Sequence, residues 1–99
     1  MVEEIVWSPI AVETFEQIIN YLQNKFGEIT TLNFVQQVDD KIKLISSRPT
    51  MFRATGKKKN TFITSIGNKT TLTYRYLPKL KKIEIVVFWG KQNPESKPD

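Results

Sequence analysis

The chain has 99 residues, enough for one domain with a single core, and aliphatic and aromatic residues make up 39% of it. With no cysteine and no histidine, disulfides, thiolate chemistry, Ser-His or Cys-His triads and most metal sites are excluded. The formal net charge of +5 is unevenly spread: residues 1–47 hold seven acids against three lysines, and residues 48–99 hold twelve Lys or Arg against three acids, giving −4 and +9.

Such segregation points to a basic face turned toward something acidic. The plainer reading is solubilising lysine, since nine of the twelve cations in the second half are Lys. No apolar run approaches the ~18 residues of a membrane span. The start, Met1-Val2-Glu3-Glu4, lacks the basic and apolar regions of a secretory signal, so the expectation is a cytoplasmic protein.

The first run, Glu4-Ile5-Val6-Trp7, is short and β-branched and predicts a strand. Ser8-Pro9 predicts a helix start, with serine as the cap and proline at the first helical position. Ala11, Phe15, Ile18, Ile19, Leu22 and Phe26 then lie on one helical face, and Gly27 suits the helix end. A second helix is expected from a cap at Thr30 or Thr31, after a link of three or four residues. Its stripe is Val35, Val38, Ile42 and Ile45, widened by Leu32 and Phe34, and Asp39 and Lys43 make an i,i+4 pair. Arg48-Pro49 stops it, because a residue before proline resists the α region.

The remainder reads as β structure. Met51 to Ala54 is a candidate short strand, Gly56 to Asn60 a turn, Thr61 to Ile66 a strand and Gly67-Asn68 a second turn. In Thr70 to Tyr76, Leu72, Tyr74 and Tyr76 alternate with Thr71, Thr73 and Arg75, which puts the tyrosines on the core side opposite Arg75. Leu77 to Lys82 is a loop. Ile83 to Trp89 is a central strand, with Ile83, Ile85, Val87 and Trp89 on one face and Val86 and Phe88 on the other. The expected class is α+β, in the order β-α-α-β-β-β, with a helical hairpin packed on one face of a small antiparallel sheet. Residues 1–92 form the domain and 93–99 a polar tail.

This order, with particular residues, resembles the RelE/ParE family of toxins from type II toxin–antitoxin systems. The resemblance runs through Val6-Trp7-Ser8-Pro9-Ile10-Ala11, Tyr21-Leu22, Phe26-Gly27, Leu44-Ile45 and Arg48-Pro49. It is most specific in Thr71-Leu72-Thr73-Tyr74-Arg75-Tyr76, Ile83-Glu84-Ile85 and Phe88-Trp89-Gly90-Lys91-Gln92-Asn93-Pro94. These are similar to a ParE-like subset with an L-x-Y-R strand and a last strand ending in an R-Q-N-P-type segment.

The resemblance implies a bacterial cytoplasmic toxin with a role in growth inhibition and plasmid stabilisation. It also implies a cognate antitoxin whose C-terminal segment wraps around the toxin. RelE-like members cleave mRNA in the ribosome; ParE-like members poison DNA gyrase. RelE-type cleavage uses lysines on the strand before the central hairpin, an arginine on the next strand, and an arginine and a tyrosine near the C-terminus. Here Thr61 to Ile66 has no lysine, the central arginine falls at Thr71, and the C-terminal one falls at Gln92 or Lys91 with no tyrosine after it.

The ParE-like reading therefore leads, with no catalytic residue, cofactor or metal assigned. Lys69, Arg75, Lys91, Gln92, Lys57, Lys58 and Lys59 are its candidate contacts to target or antitoxin. The bland reading of the same residues is exposed strand and turn charge that discourages edge pairing. Two alternatives stand beside it: a RelE-like, ribosome-dependent mRNA endonuclease with a rearranged site of Arg75, Lys69 and Lys91, and a degenerate member that retains only antitoxin binding.

Overall fold

The computed structural model describes residues 2–90. Strand β1 (Glu4–Trp7) leads into helices α1 (Pro9–Phe26) and α2 (Glu28–Ser47), followed by β2 (Arg53–Ala54), β3 (Thr61–Ile66), β4 (Thr70–Leu77) and β5 (Lys82–Gly90). A single 3-10 turn, Pro78–Leu80, joins the last two strands. The five strands form one sheet in the order β1-β5-β4-β3-β2.

Ser8 starts α1 as its sequence suggests: the hydroxyl accepts the Ala11 amide at 3.0 Å, and Pro9 follows in the first turn. Gly27 does more than end this helix. The link to α2 is this one residue, at φ 92° and ψ −176°, and α2 begins at Glu28 rather than after Thr30 or Thr31. That backbone region is essentially closed to residues with a Cβ, so glycine allows the sharp reversal. Thr31 is a buried residue of the first turn, and its hydroxyl donates to the Gly27 carbonyl at 2.9 Å.

The buried face of α2 is narrower than its apolar stripe. Phe34, Val38 and Ile45 are buried, whereas Leu32 and Val35 face solvent. Asp39 and Lys43 pair at 3.1 Å on the exposed side.

The sheet is mixed rather than wholly antiparallel. Strand β1 lies parallel to β5, with Ile5 beside Ile83 and Trp7 beside Ile85. Parallel partners need a long crossover, which the helical hairpin between β1 and the later strands supplies. The ladders β2–β3, β3–β4 and β4–β5 are antiparallel.

The core lies between the helices and one sheet face. It includes Ala11, Ile18 and Leu22 of α1, Phe34, Val38 and Ile45 of α2, and Leu72, Tyr74, Ile83, Ile85 and Phe88 of the sheet. Trp7, Phe15 and Phe88 form an aromatic knot with ring centroids 5.2–5.4 Å apart.

One irregularity redirects β5. Thr73 pairs with Val87 but Tyr74 with Ile85, so Val86 is an extra residue, a β-bulge. The regular alternation expected from the sequence fails there. Ile83, Ile85 and Phe88 face the helices, while Val87 and Trp89 share the opposite face with Glu84. Two side chains of α1 and its cap take up backbone groups around the bulge. The Ser8 hydroxyl donates to the Val86 carbonyl at 2.7 Å, and the Phe88 amide donates to Thr14 Oγ1 at 3.0 Å.

Candidate functional site

The sheet face turned away from the helices is the candidate site. The register places Arg53, Ile63, Thr73 and Val87 in one row across four strands. A second row is Ser65, Thr71 and Trp89, and a third is Thr61, Arg75 and Glu84. Ile63, Thr73 and Val87 of the first row are the floor of a groove of about 780 Å³, whose wall is formed by Arg53 at the end of the row with Lys57 and Lys58. Val86 reaches the same groove because the bulge turns it toward this face.

The loop that carries the lysines is pinned at several points. The Thr55 amide donates to the Thr61 carbonyl at 2.9 Å, and the Tyr76 amide to the Asn60 carbonyl at 2.9 Å. The Lys57 amide donates to Thr55 Oγ1 at 3.2 Å. Asn60 sits at φ 58°, a left-handed conformation that asparagine tolerates better than most residues. Lys57, Lys58 and Lys59 are exposed, and none makes an ion pair among the described residues.

Arg75 lies on this face, as alternation predicts, but its charge is engaged. Its Nη2 is 3.3 Å from Glu84 Oε1 on the neighbouring strand. Lys69 belongs to the β3–β4 turn, at the far end of β4 from Arg75. Six residues of strand at ~3.3 Å each separate the two by roughly 20 Å. Lys69 and the Lys57–Lys59 loop likewise stand at opposite ends of β3. The seven candidates thus do not form one cluster: Arg75 stands at the Lys57–Lys59 end and Lys69 at the other. Lys91 and Gln92, with the whole 93–99 tail, lie outside the described residues. Gly90, at the end of β5, pairs with Thr70 next to Lys69.

Reading the sequence alone missed four contributors to this face. Arg53 carries no motif, and only its pairing with Ile63 brings it to the groove. Val86 and Val87 owe their position to the bulge, and Glu84 is visible as a partner of Arg75 only once β4 and β5 are in register. Local sequence carries no signal for any of these.

The tyrosines are on the core side, as expected. Tyr74 is fully buried, stacks on Phe62 at 5.5 Å, and donates its hydroxyl to the Pro49 carbonyl at 2.6 Å. Burial pushes the phenol up from 10.0 to about 12, because the phenolate would lose its hydration. Lys43, by contrast, is raised by its hydrogen bond and charge interaction with Asp39. Trp7 belongs to the aromatic knot, and Trp89 is half-buried on the open face, its indole nitrogen sealed and without a partner among the described residues. Among the described residues no cluster of three or more His, Cys, Asp or Glu could hold a metal ion, and no helix is long and apolar enough to cross a membrane.

No protein-family model and no curated protein matches the sequence. Solved structures do match the fold. A structure described as the chromosomal ParDE TA system from P. aeruginosa superposes with a TM-score of 0.74 at 14% identity, covering 91% of this chain and 96% of that one. The YoeB/ParE toxin from Agrobacterium tumefaciens gives 0.67 at 14% identity, over 89% and 98%. The isolated E. coli RelE toxin gives 0.63 at 9% identity, over 87% and 81%. The helical hairpin on a five-stranded mixed sheet is therefore the fold of the RelE/ParE toxins, the fold that the sequence motifs imply.

Proposed function

We propose that the chain is the toxin of a type II toxin–antitoxin pair, a ParE-like protein of the bacterial cytoplasm. It acts by binding a target, DNA gyrase, and is neutralised by a cognate antitoxin. The observation that carries this reading is the chemistry of the open face. Its first two rows present Ile63, Thr73, Val87, Ser65, Thr71 and the half-buried Trp89, with Arg53 at the edge strand and Arg75 tied to Glu84. An RNA-cleaving centre needs acid–base and cationic groups converging within ~3 Å of the reacting atoms. A rim of cations around an apolar and threonine floor instead favours recognition of an acidic partner.

The ribonuclease alternative, with Arg75, Lys69 and Lys91 in one site, is disfavoured by the separation of Arg75 from Lys69. The test is a supercoiling assay with purified gyrase, run beside a translating extract. The expected result is blocked supercoiling with mRNA left intact. Undisturbed supercoiling at saturating protein would refute the gyrase reading. Cleaved transcripts would establish the ribonuclease instead, and overexpression without growth arrest would indicate a degenerate member.

A further inference from the structure

The groove walled by Arg53, Lys57 and Lys58 has a chemistry more specific than a basic surface. We propose that it takes an extended peptide segment of a protein partner in which acidic residues alternate with aliphatic ones. This rests on reading the chain as a binding protein rather than an enzyme.

The wall and the floor ask for different things of a ligand. Arg53, Lys57 and Lys58 form no ion pair among the described residues, whereas Arg75 on the same face is compensated by Glu84. The unpaired wall seeks carboxylates or phosphates. The floor of Ile63, Val86 and Val87 gains free energy only by covering aliphatic surface, which a phosphodiester backbone does not offer. Thr61 also lines the groove, but its hydroxyl already donates to the Lys59 carbonyl at 3.2 Å and keeps only acceptor capacity.

Shape agrees with this division. Strands stand ~4.8 Å apart, so the row from Arg53 through Ile63 and Thr73 to Val87 spans about 14 Å. In an extended segment, side chains on one face recur every ~7 Å. Two or three aliphatic side chains of such a segment cover the floor, and the intervening carboxylates, on the segment's outer face, are met by the long, exposed Lys57 and Lys58 side chains.

Single-stranded nucleic acid is the competing ligand, and the lining argues against it. Sequence-tolerant strand binding joins a basic groove to aromatic rings on which bases stack. Among the described residues that line the groove none is aromatic, and Trp89, in the next row of the same face, has its indole nitrogen sealed. The Glu84 carboxylate beside Arg75 also places negative charge on the same face.

The experiment is fluorescence anisotropy of the full chain with three labelled probes: a peptide alternating glutamate with valine, its lysine-for-glutamate counterpart, and single-stranded oligouridylate. The acidic peptide should bind saturably and more weakly as salt rises, and the other two should not compete with it. The double variant K57E/K58E should weaken it by on the order of ten-fold, with R53E doing the same independently. Lys25→Glu, exposed in the last turn of α1 on the other side of the sheet, should leave it unchanged.

No preference for the acidic peptide, tighter binding of oligouridylate, or an equal loss in Lys25→Glu would overturn the proposal. So would self-association through this groove that excludes the peptide. Gyrase inhibition without peptide binding defeats the groove assignment alone. Peptide binding without gyrase inhibition defeats the gyrase reading alone.

Discussion

Arg75 and Glu84 face each other across β4 and β5, guanidinium to carboxylate at 3.3 Å, both partly open to solvent. The most conspicuous candidate contact on the open face is therefore part of a cross-strand pair. Any partner that recruits Arg75 must first compete with Glu84.

The pair should contribute little to stability and more to function. A double-mutant cycle of Arg75→Ala and Glu84→Gln, read by urea unfolding, is expected to give a coupling of about 0.5 kcal/mol that shrinks in high salt. In the supercoiling assay, Arg75→Ala should weaken inhibition, while Glu84→Gln, which frees the guanidinium, should strengthen it. Equal inhibition by both variants would remove Arg75 from the contact set.

Thr14 should matter beyond its size. Thr14→Val keeps the shape but removes the acceptor of the Phe88 amide, a buried donor beside the bulge. Leaving it unsatisfied costs about 1–3 kcal/mol, whereas Thr14→Ser should recover most of the loss. A loss in Thr14→Ser with Thr14→Val unaffected would mean that packing of the methyl group, and not the hydrogen bond, is responsible.

Gly27 predicts a backbone effect free of any clash. A Cβ there would meet no heavy atom within 4 Å, so the cost of Gly27→Ala is conformational only. At φ 92° and ψ −176° that cost is roughly 1–3 kcal/mol, read as a lower thermal midpoint. An unchanged midpoint would mean that the hairpin tip relaxes freely.

Tyr74 predicts a dependence on alkaline pH. Its phenol is neutral in the fold up to about 12, against 10.0 when exposed. A raised pKa means that the unfolded chain loses this proton first. The stabilisation is therefore complete below pH 10 and is lost as the pH climbs toward 12. Tyr74→Phe should lack this part of the alkaline limb and should lose about 1 kcal/mol at neutral pH with the bond to Pro49. Identical pH profiles for the two proteins would contradict the assignment.

What the sequence by itself determined is local. Ser8-Pro9 starts a helix because the cap and the proline act within one turn, and Arg48-Pro49 stops one for an equally short-range steric reason. The two-faced strand from Thr70, with Tyr74 inward and Arg75 outward, follows from an alternation that the pleat imposes wherever pairing is regular. The family motifs belong to the same class, and the matching fold agrees with them.

Tertiary structure decided the rest. Strand β1 lies parallel to β5, more than seventy residues away, because the hairpin carries the chain across the sheet, and no local pattern records that partner. The bulge at Val86 depends on Ser8 and Thr14 taking up the backbone groups around it, and it turns Val87 and Trp89 to the face opposite the one that alternation assigns. Arg53, Ile63, Thr73 and Val87 are scattered along the chain and become one groove only through register. A cation's sequence position says that it is charged; which carboxylate it meets, or whether it meets one, is set by the strand beside it.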